Sequence, residues 1–578
     1  MRVTAGPRRW RVLEPSPEVV AHLSSELGLS RLTSTVLANR GVSSPDEARA
    51  FLARREPADT DPFLLDDMDR AVTRVLAALQ GRERVAVYGD YDADGLTATA
   101  LLVSVLEAAG AEVTWYIPDR SAEGYGLNAA ALEHLRANGV GLVVTVDCGV
   151  TALPEAALAR RLGLGLVITD HHEPGPELPA ADAVVNPRRP GSRHPSRDLA
   201  GVGVAYKLAQ ALVPFLGRPD LVALVEELVD LVALGTVADV VPLLGENRAL
   251  VSRGLERLNP PRRLGLEALC RAAALHGRPV GTYHLAFQLG PRLNAAGRVG
   301  DAARAVRLLL TRDAVEAAAL ATELDQSNRE RQALEEAILT EALRRVGAEA
   351  DLAREMAIVL AGEGWHEGVI GIVASRLVEM FARPALLVAM NGAAGRGSGR
   401  SIPAFNLVEA LRECSGRLGR YGGHRLAAGF ELEREAFDAF RQDFLEFVRA
   451  RLTREDLVHE LRIDACVEPR ELAPDEVLRL LGELELIGPH GPGNPEPLFA
   501  VGPVTFASVR RMGEGGRHLR ALARCGGVAI EVVGFGRGDL APRLGGRAWD
   551  LAFRPELDEW QGRRRLRLNL VDVREAAV

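Results

Sequence analysis

The stretch "VAVYGDYDADGLTATALL", residues 85–102, carries Asp90, Asp92 and Asp94 on alternate positions directly after an apolar run. Carboxylates at that density repel one another, and burying them at a strand end is costly unless a cation or a set of donors compensates. Similar groups recur downstream: Asp147 ends "LVVTVD", Asp170, His171 and His172 end "LGLVITDHH", and Asp239 lies in "ALGTVADVVPL". Carboxylate and imidazole together form a ligand set for divalent cations, and two cations about 3.5–4 Å apart need one shared carboxylate. Each motif also has an ordinary reading. A lone Asp after a strand is commonly a helix N-cap or turn residue, and one of two adjacent histidines can simply be packed. The conjunction on successive strands of one sheet favours a metal centre.

The elements that must position these groups follow from the apolar pattern. From about 70 to 245, short Val- and Ile-rich runs ("RVAVYGD", "AEVTWYIP", "LVVTVDCG", "LGLVITDHH", "DAVVNP") alternate with helical stretches. That predicts a parallel α/β sheet buried on both faces, with ligands at the carboxyl ends of the strands. All four acidic sites, Asp239 included, are expected at strand ends. Residues 302–350 read as one or two long helices joining two lobes. A second α/β region, 351–460, has strands at "EMAIVLAG" and "PALLVAM" and glycine-rich loops at "NGAAGRGSGR" and "RYGGHRLAAGF". Short strands with turn signals from 461 to 578 predict a small β barrel, of which the OB-fold is one kind. Residues 1–70 read as a helical segment serving as a lid or spacer, and 71–301 as the catalytic domain.

At 578 residues and 47% hydrophobic content the chain can build several cores. A net charge of −8 provides no global attraction for nucleic acid, so any such contact must come from local patches. The five cysteines are scattered and form no C-x-x-C pair, which argues against a disulfide framework and against a cysteine-ligated metal. No apolar run approaches the ~20 residues of a membrane helix, and the first residues lack a secretory apolar region. A cytoplasmic setting is expected. Lys207 is the only lysine.

The order "DYDADG", "VDCG", "TDHH", "GTVAD" closely resembles the four motifs of the DHH phosphoesterases. Further stretches, "EGYGLN", "LAGVGVAYKL", "GPRLNAAGR", "GWHEGVIGIVASRL", "GSGRSIPAFNL", "GGHRLAAGF" and "GPGNPEP", resemble the branch of that family made of single-stranded-DNA-specific 5′ to 3′ exonucleases. The resemblance implies a two-lobed core, a DHH domain and a DHHA1-type domain joined by a long helix, followed by an OB-fold. It implies that Asp92, Asp94, Asp147, His171 and Asp239 hold two Mn²⁺ or Mg²⁺ ions, with Asp147 as the bridge, and that Asp170 and His172 orient the ligands or the phosphate. Many family members have a histidine four residues before the aspartate that corresponds to Asp92. Tyr88 stands there, and Asp90 is expected to take over that role, directly or through water.

The same resemblance implies hydrolysis of phosphodiesters from the 5′ end of single-stranded DNA, in repair and recombination, by a monomer working with a single-strand-binding protein and a helicase. Ser398, Arg400, Ser401, His424 and Arg425 are expected to grip a phosphate on the face opposite the metals; without the family, ordinary glycine-rich turns explain them. Arg120, Arg292, Asn294 and Arg298 are further phosphate candidates. In the barrel, Phe535 and Trp560 near Arg511, Arg517, Arg520 and Arg563 to Arg565 combine stacking faces with cations, as a single-strand groove does. A solvated face is the ordinary alternative. Two rival functions stand beside the exonuclease: a phosphoesterase for short oligonucleotides or other small phosphodiesters, and a non-catalytic single-strand-binding scaffold.

Overall fold

The computed structural model describes residues 8–54, 60–120, 123–124, 126–349, 354–560 and 563–576. The chain divides into two compact units, one of Trp10–Pro118, Glu123–Gly290 and Arg462–Val578, the other of Met1–Arg9, Asp119–Ala122 and Pro291–Leu461.

The first unit begins with helices α1 (Pro17–Leu27), α2 (Arg31–Asn39) and α3 (Pro45–Leu52). A five-stranded sheet follows: β1 (Arg84–Tyr88), β2 (Val113–Tyr116), β3 (Val140–Val146), β4 (Gly165–Thr169) and β5 (Ala183–Val185). The strands run parallel in the order β2-β1-β3-β4-β5. The order reverses between β1 and β3, and the crevice at such a switch point is where open α/β sheets take ligands. Helix α4 (Ala93–Ala108) leaves β1 and is buried over most of its surface, so apolar residues lie on every side of it, with Asp94, Thr97 and Thr99 buried among them. Helices α5 (Gly201–Leu212), α6 (Val229–Ala238) and α7 (Gly245–Arg257) pack beyond it.

The unit closes with α8 (Pro474–Ile487) and a barrel. Its strands are β6 (Ala465–Cys466), β7 (Phe499–Met512), β8 (His518–Cys525), β9 (Val528–Gly534), β10 (Trp549–Trp560) and β11 (Arg563–Glu575). They pair in the order β6-β7-β8-β9-β11-β10, and a β7–β10 pairing closes five of them on themselves. Leu23, Leu32, Val36, Leu37 and Phe51 of the N-terminal helices share one apolar core with Phe499, Val501, Leu551, Phe553 and Leu568 of the barrel. The N-terminal segment is therefore neither lid nor spacer; it packs as part of the barrel's core.

Where one or two long helices are expected between 302 and 350, the second unit holds a short helix, Ala303–Leu310, and a long one, Ala314–Glu349. Its sheet comprises Ile358–Glu363, Ala385–Asn391, Ala394–Arg400, Tyr421–Gly423 and Ala427–Glu433. The first two strands are parallel and the rest antiparallel. Both stretches read as glycine-rich loops thus contain strands. The glycines make room rather than turns: a Cβ on Gly397 would meet the Phe430 ring at 2.2–2.5 Å. No helix among the described residues is long and apolar enough to cross a membrane.

Candidate metal centre and anion site

The acidic and imidazole groups converge at the carboxyl edge of the parallel sheet. Asp92 caps α4, its Oδ1 accepting from the backbone N–H of Asp94 (2.9 Å) and Gly95 (3.1 Å). Asp92 is thus an N-cap residue and at the same time a member of a carboxylate cluster that could hold a metal. Asp94 lies in the first turn of α4, and its carboxylate accepts from Gly201 N–H (2.7 Å, to Oδ2) and Val202 N–H (2.9 Å, to Oδ1). Asp147 follows β3 in a left-handed conformation, φ +62°. Asp239 is the C-cap of α6, not a strand-end residue. The run "LVALGTVA" before it, apolar but for Thr236, has no period that separates a buried helix from a buried strand.

His171 is the meeting point. Its buried Nε2 makes no hydrogen bond and lies 3.2 Å from Asp147 Oδ1, 3.6 Å from Asp239 Oδ2 and 3.8 Å from Asp94 Oδ2. Three sets of ligand atoms lie within 4.8 Å of one another: Asp147, His171 and His172; Asp94, His171 and Asp239; Asp90, Asp92 and Asp147. Asp147 belongs to two of them. Asp170 is committed elsewhere, its oxygens accepting from Val150 N–H (2.9 Å), His171 N–H (2.7 Å) and His172 N–H (3.1 Å), and 2.7 Å from His172 Nδ1. That contact orients the His172 ring. Tyr88 is buried in the apolar core and its hydroxyl donates to Gly126 O (2.9 Å), whereas Asp90 is one of the clustered carboxylates.

The electrostatics are those of a site built around positive charge. Burial first, then the carboxylates of Asp94, Asp92, Asp239 and Asp90, hold Asp147 well above the usual aspartate range. Burial and Asp92 push Asp94 up to about 7 against the pull of the Val202 and Gly201 N–H groups. Asp239 is raised by burial and by Asp94. Burial, then the neighbouring His172, takes His171 down to about 3, so its ring is neutral and can serve as a ligand.

The phosphate candidates belong to the other unit. Arg400 ends the strand Ala394–Arg400, with Ser398 two residues before it on the same strand. Arg400 donates to Gly399 O (2.8 Å) and Ser398 Oγ (3.3 Å), and among the described residues no carboxylate answers it. Burial, then the charge of Arg120, lowers its pKa. Two guanidinium groups so placed favour an anion. Ser401 Oγ donates to Phe405 O (3.1 Å), His424 is exposed, and Arg425 donates to Pro403 O (2.8 Å). Arg292 is ion-paired with Asp325 (2.9 Å), Arg298 donates to Gly368 O (2.9 Å), and Asn294 lies half-buried on the helix Gly290–Val299. In the barrel Phe535 is half exposed, edge-on to His518 (5.6 Å), with Arg567 Cζ 5.7 Å from its centroid. The Trp560, Arg563, Arg564 and Arg565 side chains lie outside the described residues. The motif reading missed the Gly201 and Val202 backbone donors, because main-chain groups leave no mark in side-chain identity.

Residues 84–236 match the DHH family, N-terminal domain, residues 354–450 the DHHA1 domain, and residues 463–572 the RecJ OB domain. The single-stranded-DNA-specific exonuclease RecJ of Bacillus subtilis is 39% identical over 575 residues, 98% of this chain and 71% of that protein. This chain belongs to the RecJ family. The RecJ exonuclease of Escherichia coli is 37% identical over 565 residues, 94% of this chain and 96% of its own length. A crystal structure of RecJ in complex with Mn²⁺ from Thermus thermophilus matches with a TM-score of 0.84 at 35% identity, covering 99% of this chain and 80% of that one. A second structure from the same organism is a complex with Mg²⁺, with a TM-score of 0.77 at 34% identity, covering 99% and 79%. The residues of this RecJ-family chain fit such cations: hard carboxylate oxygens and a neutral imidazole, buried together, with an imidazole nitrogen that no donor or acceptor answers.

Proposed function

We infer that this protein is a single-stranded-DNA-specific exonuclease that hydrolyses phosphodiesters from the 5′ end and releases 5′-mononucleotides, with two divalent cations held by Asp90, Asp92, Asp94, Asp147, His171 and Asp239. The reading is carried by the convergence of Asp94, Asp147 and Asp239 on His171 Nε2 in a chain similar to RecJ exonucleases over nearly its whole length. Divalent cations bound there supply an activated water and neutralise charge on the phosphoryl oxygens. The protein's own residues set the geometry. Asp147, shared between ligand sets, fixes their spacing; Asp170 holds His172 at Nδ1, and in this reading the ring serves a phosphate oxygen or a proton.

Arg400, Ser398 and Arg120 take the terminal phosphate, the one feature that distinguishes an end from the middle of a strand. Ser401, His424, Arg425, Arg298 and Asn294 are further phosphate contacts in this reading, and Arg292 acts chiefly through Asp325. The barrel, with Phe535, holds bases further along. A matched RecJ OB domain counts against an enzyme for small phosphodiesters, and the intact Asp and His set against a scaffold. An enzyme confined to single strands needs duplex opened and kept open, which supports a helicase and a single-strand-binding protein as partners. In this reading it acts as a cytoplasmic monomer in DNA repair and recombination.

The test uses single-stranded and duplex DNA labelled at the 5′ or the 3′ end, with a 5′-phosphate or a 5′-hydroxyl. The reading expects labelled mononucleotide at once from 5′-labelled single strands, a gradual ladder from 3′-labelled ones, and slower attack on 5′-hydroxyl ends. Immediate release of mononucleotide from the 3′ label, or equal attack on circular strands, contradicts it.

A further inference from the structure

We propose that Gly201 is a positioning residue for the metal centre: the first turn of α5 fixes Asp94 through its backbone and leaves, at Gly201, the space that Asp147 occupies. The proposal rests on the metal-binding reading above. The Gly201 and Val202 N–H groups donate to different oxygens of the Asp94 carboxylate, at 2.7 and 2.9 Å, so its rotation is set by main chain rather than by a movable side chain. The two donors sit at the N-terminus of a twelve-residue helix, where the backbone favours a carboxylate in its charged form.

Space is the second half of the argument. A Cβ on Gly201 would stand 2.6 Å from Asp147 Cβ, 2.6 Å from its Oδ1 and 2.7 Å from its Cγ, closer than real Cβ atoms come. Gly201 is not among the glycines with positive φ, so its requirement is room and not a special conformation. Gly235 of α6 plays the matching part on the other side: a Cβ there would lie 2.3 Å from Thr97 Oγ1 and 2.9 Å from Asp94 Oδ1. Nor can α5 slide away from a new methyl group. Lys207, in its second turn, is wholly buried, ion-paired to Glu246 of α7, and donates to Thr60 O at 2.9 Å. With the helix pinned, a side chain at 201 displaces Asp147, the carboxylate common to two ligand sets.

The experiment compares the full-length wild type, Gly201→Ala, Asp147→Gly and the double variant. Manganese binding is read by EPR of free Mn²⁺, and thermal melting is followed in EDTA. Gly201→Ala is expected to weaken Mn²⁺ binding at least tenfold. It is also expected to lower Tm in the wild-type background and to leave Tm unchanged in the Asp147→Gly background, where the obstructing side chain is gone. If Gly201→Ala alone does not fold, a double variant that melts like Asp147→Gly gives the same answer. Wild-type Mn²⁺ affinity in Gly201→Ala, or an equal fall in Tm in both backgrounds, overturns the proposal. A wild type that binds no Mn²⁺ instead overturns the metal reading, and the EDTA melts then decide the placement of Asp147 alone.

Discussion

At Asp147 the chain holds an aspartate at φ +62°, a conformation that Asp and Asn adopt more readily than other side chains. Asp147→Asn therefore keeps the backbone and removes one charge from a repelling group. We expect cleavage to fall by about 10²-fold or more, with Tm in EDTA unchanged or raised, since neighbouring carboxylates destabilise the ionised form; a gel assay beside a thermal melt reads both. The same repulsion sets a pH dependence. Asp94 titrates at about 7 when folded against an ordinary 3.8, and Asp147 and Asp239 are also raised. Groups whose folded pKa is raised bind more protons folded than unfolded, so stability falls as pH climbs from the ordinary aspartate value through the raised ones. His171, held down at about 3 against an ordinary 6.5, works in the opposite sense over that window, one group against three. Melts in EDTA are therefore expected to show a net decline in Tm between about pH 4 and pH 7, and saturating Mn²⁺ is expected to flatten that slope.

Among the elements, α7 carries a side chain that ties three parts of its unit together. Arg248 is wholly buried, donates to Phe51 O (2.7 Å) and to Leu486 O (3.2 Å), Ile487 O (3.0 Å) and Gly488 O (2.9 Å), and stacks 3.8 Å above the Phe51 ring. The acceptors Leu486 to Gly488 lie at the C-terminal end of α8, where helix carbonyls lack intrahelical donors and favour a cation. Arg248→Ala leaves them unanswered in the interior and is expected to cost roughly 3 kcal/mol; Arg248→Lys keeps the charge but cannot fork to four carbonyls. The first transition in chemical unfolding measures both. Neither this contact nor the shared core of α1–α3 and the barrel is legible in sequence, because an apolar helix face shows that it is buried and not against what. The parallel strands were legible from their Val- and Ile-rich runs. The Ala394–Arg400 strand was not, since its alternate glycines look like turn residues until Met390, Phe430 and Leu407 are seen filling the places of Gly395, Gly397 and Gly399.

For the whole molecule, the order of DHH domain, long helix, second α/β domain and barrel could be read from period and motif, as could the gathering of Asp and His side chains at the strand ends. The share of Asp239 supplied by a helix, and the grouping of barrel with N-terminal helices, needed coordinates. That grouping changes how the barrel is best tested: deleting it would strip α1–α3 of their core and Arg248 of three of its acceptors. Phe535→Ala avoids this, being half exposed. It is expected to weaken binding of long single strands by roughly 1–3 kcal/mol, as one lost stacked base does, with the salt dependence unchanged because no phosphate contact is removed. Fluorescence anisotropy across a salt series checks both. The central claim, that the carboxyl edge of the first sheet holds two catalytic cations, is tested most directly by anomalous diffraction at the manganese edge from crystals grown with Mn²⁺. The account predicts two peaks about 3.5–4 Å apart, with Asp147 between them and His171 at one; no peak there, or peaks only at surface carboxylates, would contradict it.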